Sequence, residues 1–454
     1  MSRKADDEPK HGKVRRERTL NAPRALASGF ISAILIGAIL LSLPVSGKGK
    51  PVSALDALFT STSAVCVTGL VTVDTGTRFS TFGQVVILIL IQVGGLGIMT
   101  FSTLLVAYTG GTVSMRFHML LKEALNRLTY RNLFFIAKLI FLLTAVIEGA
   151  GALLLLAGFA RSFPLSEAAW LAVFHSISAF CNAGFSLFSD SLVRYHSDAF
   201  MNITFCVLIV AGGIGFPVLI ELIEYRRARK LSVHARLALV MTAALIFLGA
   251  AGLLAFEYLH NLDLHRDSSL ADLALESVFQ SVTARTAGFN TVVIGRLSAA
   301  ALFLMMILMF IGASPGGTGG GVKTTTFGVL LAAAWAVVRG KRDVNVFRRR
   351  LSDELLMRAF TVAVIYLMLV ASVTVLMLCV KSFGIAATLF EVLSAAGTVG
   401  LSTGITPQLA PAEKCFIILA MFCGRIGPVS IVMALIEREK KQSFRFPEGK
   451  IMIG

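Results

Sequence analysis

The sequence predicts an all-α integral membrane protein: eight transmembrane helices forming four parallel copies of a helix, re-entrant pore loop, helix unit around one pore. Three observations predict it. The chain carries an apolar excess that no soluble core absorbs. Its long apolar runs pair around four shorter, semi-polar ones. Most of its lysines and arginines fall on one side of those runs.

Of 454 residues, 56% are hydrophobic and 15% charged, with mean hydropathy +0.79. Soluble domains carry about 25% charged residues, so the bilayer must act as solvent here. A net charge of +16 would suit nucleic acid if it sat on one soluble face; its placement, below, removes that reading. Cys66, Cys181, Cys206, Cys379, Cys415 and Cys423 form no CxxC and no framework spacing, so they read as reduced packing residues.

Runs long enough to cross a bilayer occur at 26–43, 82–108, 132–157, 200–223, 234–258, 299–338, 356–380 and 413–436. The first spans 18 residues after a basic stretch ending at Arg24. A signal-peptide core has about 7–15, so a transmembrane helix is expected. Between the members of each pair lie 53–65, 166–180, 270–284 and 384–396, too short to cross. Such lengths suit re-entrant helices surrounded by protein or water. Two open on capping-box patterns, Ser53-x-x-Asp56 and Ser269-x-x-Asp272.

With the N-terminus cytoplasmic, 29 of the 42 lysines and arginines fall in 1–25, 109–131, 225–236, 339–358 and 437–454, and 10 on the other side. That is a firm positive-inside signal. The expected organisation is a cytoplasmic segment 1–25, units 26–108, 132–224, 234–338 and 356–436, and a cytoplasmic tail 437–454. Both termini are expected inside a cell membrane that the chain crosses many times.

The re-entrant segments align on their own residues: Phe59-TSTS-Ala64-VCVT-Gly69, Phe174-HSIS-Ala179-FCNA-Gly184, Phe279-QSVT-Ala284-RTA-Gly288 and Phe390-EVLS-Ala395-AGTV-Gly400. Some 24–28 residues after each comes a second glycine patch, at Gly94, Gly212, Gly312 and Gly424. One such glycine reads as helix packing; four in register, each between two spans, do not. Two spans per unit make the repeats parallel, which sets four loops at one level.

A dehydrated cation needs oxygens in place of its water, and rings of backbone carbonyls supply them. Inward carbonyls require dihedrals that glycine tolerates, and helix C-termini aimed at the ring favour a cation. The candidate ligand stretches are Cys66, Val67, Thr68 and Gly69; Cys181, Asn182, Ala183 and Gly184; Arg285, Thr286, Ala287 and Gly288; and Thr398, Val399 and Gly400. The last holds Thr-Val-Gly, the opening of the K⁺-channel signature. No cofactor is expected; the ion is the cargo.

The sixth span is interrupted by Ala313-Ser-Pro-Gly-Gly-Thr-Gly-Gly-Gly-Val-Lys-Thr-Thr-Thr326, which cannot hold a helix. Backbone unwound at that depth lines a cavity or is buried in protein. The phosphate-loop pattern fails because Val322 precedes Lys323 and no strand comes before it. Lys323 and Arg425 are deep charges, functional by default; Lys323 also fits an interfacial anchor. Glu148 fits a helix-to-helix hydrogen bond or a Na⁺ or regulatory role.

VCVTGL, FCNAGF, TARTAGF, GTVGLSTG, the broken sixth span, Arg425 and the C-terminal PEGKIMIG resemble the membrane subunit of the Ktr/Trk/HKT superfamily of K⁺ transporters, over roughly residues 20–454. Eight spans fit the Ktr branch better than Trk. Members that prefer Na⁺ carry serine at the first filter position; Gly69 stands there, so the resemblance implies K⁺ uptake. It also implies an intramembrane gate of Gly312, Ala313, Ser314, Pro315, Gly316, Gly317, Thr318, Gly319, Gly320 and Gly321 with Lys323 and Arg425, the last an electrostatic barrier facing the pore. It implies a membrane homodimer on a cytosolic RCK ring that binds ATP or ADP, with Na⁺ a candidate activator.

Two other function classes fit the sequence less well. A secondary transporter, for another cation or a small organic solute, would show inverted repeats and a midplane site. A membrane enzyme would need acids, bases or metal ligands gathered in one place; the seven histidines are scattered.

Overall fold

Each unit begins with a long apolar helix, dips into a short one and leaves through a third. The computed structural model describes residues 22–108, 133–260, 269–381 and 383–427. Unit 1 comprises α1 (Ala22–Ser42), α2 (Ala54–Val65) and α3 (Thr81–Tyr108). Unit 2 comprises α4 (Leu133–Phe159), α5 (Leu165–Phe180), α6 (Ala199–Ile214) and α7 (Phe216–Ala228). Unit 3 comprises α8 (Val233–His260), α9 (Leu270–Thr283), α10 (Ala299–Phe310) and α11 (Thr324–Val338). Unit 4 comprises α12 (Asp353–Val380), α13 (Ile385–Gly397) and α14 (Pro411–Ile426). The expected cytoplasmic segments at 1–21, 109–131 and 437–454, and the end of the last expected span, lie outside the described residues.

The fold is inside-out relative to a soluble protein. Ile36, Ile39, Leu153, Phe247, Leu248, Phe303, Val338 and Met368 face outward, each more than half exposed. The short central helices bury hydroxyls, amides and acids: Ser61, Thr62, Ser63, Ser176, Ser178, Gln280, Thr283, Glu391 and Ser394. Burying polar groups is tolerable only when they are hydrogen-bonded, and an outer surface of this composition requires lipid. Among the described residues, three helices are long and apolar enough to cross a bilayer unaided, Lys138–Phe159, Val233–His260 and Asp353–Val380.

The units close into a ring. Each short helix packs on the long helices of its own unit, and each exit helix packs on the next unit's short helix: α3 on α5, α6 on α9, α10 on α13, and α14 back on α2. Side-chain caps start two of the short helices, α2 and α9, at the surface. Ser53 Oγ accepts from the Asp56 N–H, and Ser269 with Asp272 forms a full capping box. Such caps contribute about 1 kcal/mol each.

One span departs from the sequence reading. The run 200–223 is not continuous: α6 and α7 meet at Gly215 with a bend of 102°. Gly215 has φ 98° and ψ 140°, and Gly427, at the same place in unit 4, has φ 88° and ψ 130°. A Cβ would disfavour such dihedrals. In unit 1 the equivalent Gly97 stays within helix.

Candidate functional site

The four glycines meet. A Cβ built on Gly69 would lie 2.5 Å from the Ala183 carbonyl oxygen, one on Gly184 2.8 Å from that of Ala287, and one on Gly288 2.5 Å from that of Val399. One on Gly400 would strike the Thr68 carbonyl. The contacts run from unit 1 to 2, 3, 4 and back to 1, so four loops form a closed ring with no space for a side chain at its glycines.

Each loop turns back on its own helix by the same hydrogen bonds. The residue before the glycine donates its N–H to the carbonyl of a hydroxyl residue at the helix end. Those pairs are Thr68 to Ser63, Ala183 to Ser178, Ala287 to Thr283 and Val399 to Ser394, at 2.7–2.9 Å. The hydroxyls add a second tie. Ser63 and Ser394 accept from the Gly69 and Gly400 N–H groups at 3.0 Å. Ser178 and Thr283 donate to the Phe185 and Phe289 carbonyls at 2.8 and 2.6 Å.

The backbone alternates in hand. Val67, Asn182, Thr286 and Thr398 have φ between 51° and 76°, the following residue is on the negative side, and the glycines have φ 68–95°. Non-glycine residues seldom hold positive φ, and such strain persists only where the surroundings impose it. Among the described residues no hydrogen bond reaches the carbonyl oxygens of Thr68, Ala183, Ala287 or Val399. Buried carbonyls are normally paired, so these four are available to a ligand that accepts oxygen. Helix C-termini with their partial negative charge surround them.

The side chains of the loops differ. The Asn182 amide meets the Thr286 hydroxyl at 3.2 Å across the seam between units 2 and 3. Cys66 and Cys181 are buried with free thiols. Arg285 shares the loop through its backbone only; its guanidinium turns outward to Thr242 on α8, at 3.3 and 3.4 Å. Cys379 and Cys415 face outward rather than into packing.

Beneath the ring lies the segment between α10 and α11. Ile311 pairs with Val322, and the Gly312 N–H donates to the Val322 carbonyl at 2.8 Å, so the segment leaves and re-enters at one point. Ala313, Ser314, Thr318, Gly319 and Gly320 are buried. The Ser314 and Thr318 N–H groups donate to the Gly213 and Gly212 carbonyls, and the Gly320 N–H to Thr398 Oγ1 at 2.9 Å. A Cβ on Gly319 would strike Thr286. Gly316 accepts from the Phe216 N–H across the break in unit 2, while Pro315, Gly317 and Gly321 are half-buried. The segment therefore touches two loops of the ring from one side.

Lys323 donates to the Gly319 carbonyl at 2.6 Å, within the segment itself. Arg425 is buried and donates to the carbonyls of Thr318 and Gly94. It binds the segment to unit 1. Glu148 accepts from Gln92 Nε2 at 3.1 Å and from the Cys181 thiol at 3.7 Å, which joins α3, α4 and the unit 2 loop.

The residue-level reading missed the hydroxyls. Ser63, Ser178, Thr283 and Ser394 each precede the aligned alanine, so the signal was in the repeat itself. The second glycine patch also gains a reason: at Gly94, Gly212 and Gly424 a Cβ would strike the Val65, Phe180 and Ala396 carbonyls, the C-terminal ends of α2, α5 and α13. Gly312 departs, meeting Gly320 of its own segment.

The chain has known relatives. It is 40% identical to the Ktr system potassium uptake protein B of Bacillus subtilis over 95% of this chain and 96% of that one. It is 37% identical to the potassium/sodium uptake protein NtpJ of Enterococcus hirae, over 97% and 99%. The crystal structure of the potassium transporter TrkH from Vibrio parahaemolyticus superposes with a TM-score of 0.69 at 18% identity, covering 93% of this chain and 86% of that one. The model of the TrkH family, described as cation transport protein, matches residues 16–445, which takes in all four units and the ring they close. With that ring, that match and relatives of this identity along the full length, the chain belongs to the TrkH family of cation transport proteins.

Proposed function

We propose that this protein takes up K⁺ across the cell membrane through the ring of four loops, with 66–69, 181–184, 285–288 and 398–400 as its selectivity filter. The observation that carries the reading is the closed contact among Gly69, Gly184, Gly288 and Gly400, beside carbonyls that no hydrogen bond reaches among the described residues. K⁺ exchanges its water for such oxygens. Glycine at all four positions keeps the four strands equivalent in backbone freedom, which suits one symmetric coordination shell. The relatives' own names, potassium uptake and potassium/sodium uptake, support the ion class.

Residues 312–321 with Lys323 and Arg425 act in this reading as the gate, because the segment lies against two loops on one side of the ring. The distribution of lysine and arginine supports cytoplasmic termini and a gate on the cytoplasmic side. A membrane homodimer on a cytosolic ATP- or ADP-binding RCK ring completes the proposal, and Na⁺ is a candidate activator. A second reading, in which K⁺ and Na⁺ both permeate, is favoured by the name of the Enterococcus hirae relative.

Cation flux into liposomes holding the purified protein, with K⁺, Rb⁺ and Na⁺ compared, tests this. Uptake of K⁺ and Rb⁺ well above Na⁺ is expected. Equal uptake of all three would favour the second reading, and no uptake of any would overturn the first.

A further inference from the structure

The ring has an outer support built from the helices behind it. The residue after the aligned phenylalanine in each repeat is Thr60, His175, Gln280 or Glu391, all polar and all buried. Three of the four reach across to the strand that leaves the ring. His175 Nε2 accepts from the Ser186 hydroxyl at 3.1 Å and the Leu187 N–H at 3.3 Å, while its Nδ1 lies 2.8 Å from the Leu171 carbonyl. The tautomer protonated at Nδ1 satisfies all three. Gln280 Nε2 donates to Thr291 Oγ1 at 3.2 Å. Glu391 accepts from Ser402 Oγ at 2.8 Å and from the Thr406 hydroxyl.

Unit 1 departs in a way that supports the pattern. Thr60 is too short to cross, and its buried hydroxyl has no hydrogen-bond partner among the described residues. One helical turn earlier on the same face stands Asp56, which accepts from Thr72 Oγ1 at 2.8 Å. Asp56 is itself held by Lys414 of unit 4 at 2.7 Å. The partners Thr72, Ser186, Thr291 and Ser402 lie two or three residues beyond the ring glycines. Four different side chains thus do one job at one place.

We propose that Asp56, His175, Gln280 and Glu391 are positioning residues that brace the strands leaving the ring and thereby set its ion selectivity. A carbonyl ring discriminates between cations only if it resists collapse onto the smaller one, and a strand tied on both sides of its glycine resists better than one tied on the helix side alone. Glu391 is the strongest brace, with two hydroxyl donors on one fully buried carboxylate. Gln280 is the weakest: its single bond borders a cavity of about 350 Å³ that also holds Glu276 and Thr291, so water can take its place.

The inference rests on reading the ring as the K⁺ path, so the experiment carries its own control. Rb⁺ uptake into liposomes is measured with and without competing Na⁺ for the parent, Gly69→Ser, Glu391→Ala, Glu391→Gln and Gln280→Ala, each normalised to correctly folded protein. Glu391→Ala is expected to lose several-fold of the Rb⁺ over Na⁺ preference. Glu391→Gln, which still meets both hydroxyls, should recover most of it, and Gln280→Ala should change it least. If Gly69→Ser shifts the preference and Glu391→Ala folds without shifting it, the braces are structural only and the proposal fails. If neither shifts it, the reading of the ring itself fails. If Glu391→Ala does not fold, Glu391→Gln and a Ser402→Ala variant decide: parental preference in both overturns the proposal.

Discussion

Arg425 of unit 4 donates its guanidinium to the Thr318 carbonyl at the centre of the unwound segment of unit 3 and, from the same fork, to the Gly94 carbonyl of unit 1. One side chain therefore ties the segment beneath the ring to two exit helices. The resemblance gives Arg425 the part of an electrostatic barrier facing the pore. Its geometry adds a mechanical role, because the planar fork reaches two carbonyls that a point charge could not.

Arg425→Gln should raise K⁺ flux per folded protein. A hydrogen bond to a charged donor contributes about 1.5–3 kcal/mol, so losing one increases the population of a displaced segment by roughly ten- to a hundredfold. A several-fold rise in liposome flux is the expected outcome. Arg425→Lys separates the two roles. A barrier alone would leave it parental, whereas a pin would leave it intermediate, since the ammonium holds one carbonyl well at most. Normal folding with unchanged flux in Arg425→Gln would remove the residue from the gate.

Deleting Gly317, Thr318 and Gly319 should also raise flux, for a reason the deletion shares with Arg425→Gln. Thr318 provides three of the segment's ties: its N–H to Gly212, its hydroxyl to Phe180 and its carbonyl to Arg425. Because the two changes remove one common bond, their effects should not add. The deletion combined with Arg425→Gln should conduct about as well as the deletion alone. Full additivity in the measured rates would mean that Arg425 acts without the segment.

Gly69→Ser should erode discrimination between K⁺ and Na⁺. Its φ of 94° already costs a residue with a side chain about 1–2 kcal/mol. The added Cβ must also push the Ala183 carbonyl, 2.5 Å away, out of place. A ring with one strand displaced no longer presents equal oxygens. Competition of Na⁺ against Rb⁺ uptake should strengthen about tenfold, which is roughly 1.4 kcal/mol of lost preference. Serine at Gly184, Gly288 or Gly400 should act in the same direction, and parental competition in all four would refute the ring as the selective element.

The membrane class and the four loops could be read from the sequence because both are written locally. Apolar run length reports the solvent, and Phe59, Ala64 and Gly69 recur in register with their counterparts. What could not be read is set between units. The bend at Gly215 follows from the unwound segment packing against it: the Phe216 N–H reaches Gly316 there. In unit 1 the same glycine position carries unbroken helix. The outward turn of Arg285 was equally hidden, since its partner Thr242 lies 43 residues away on another helix. The four hydroxyls at the ends of the short helices were legible in principle, as a Ser or Thr before every aligned alanine, yet only the observed hydrogen bonds give them a task.

The seam that closes the ring should respond to acid but not to mild changes of pH. Asp56 on α2 and Lys414 on α14 join unit 1 to unit 4 at 2.7 Å, near the surface where the short helix begins. Burial by itself would raise the Asp56 pKa, but hydrogen bonds from Lys414, Ser53 and Thr72 overcome it and hold the carboxyl below the ordinary value of 3.8. A carboxylate whose folded pKa is depressed adds stability that is complete above the unfolded value. That stability is lost as pH falls through the lower, folded one. The contribution should therefore stay constant between about pH 5 and 7 and disappear only below about pH 4. Asp56→Asn keeps the shape and part of the hydrogen bonding but cannot carry the charge. Its unfolding temperature in detergent should be lower than the parent's at neutral pH, and the two should converge as the parent's own carboxylate is protonated. An acid limb of the same depth in both proteins would show that the Asp56–Lys414 pair does not hold the ring closed, and that the seam rests on the packing of α14 against α2 alone.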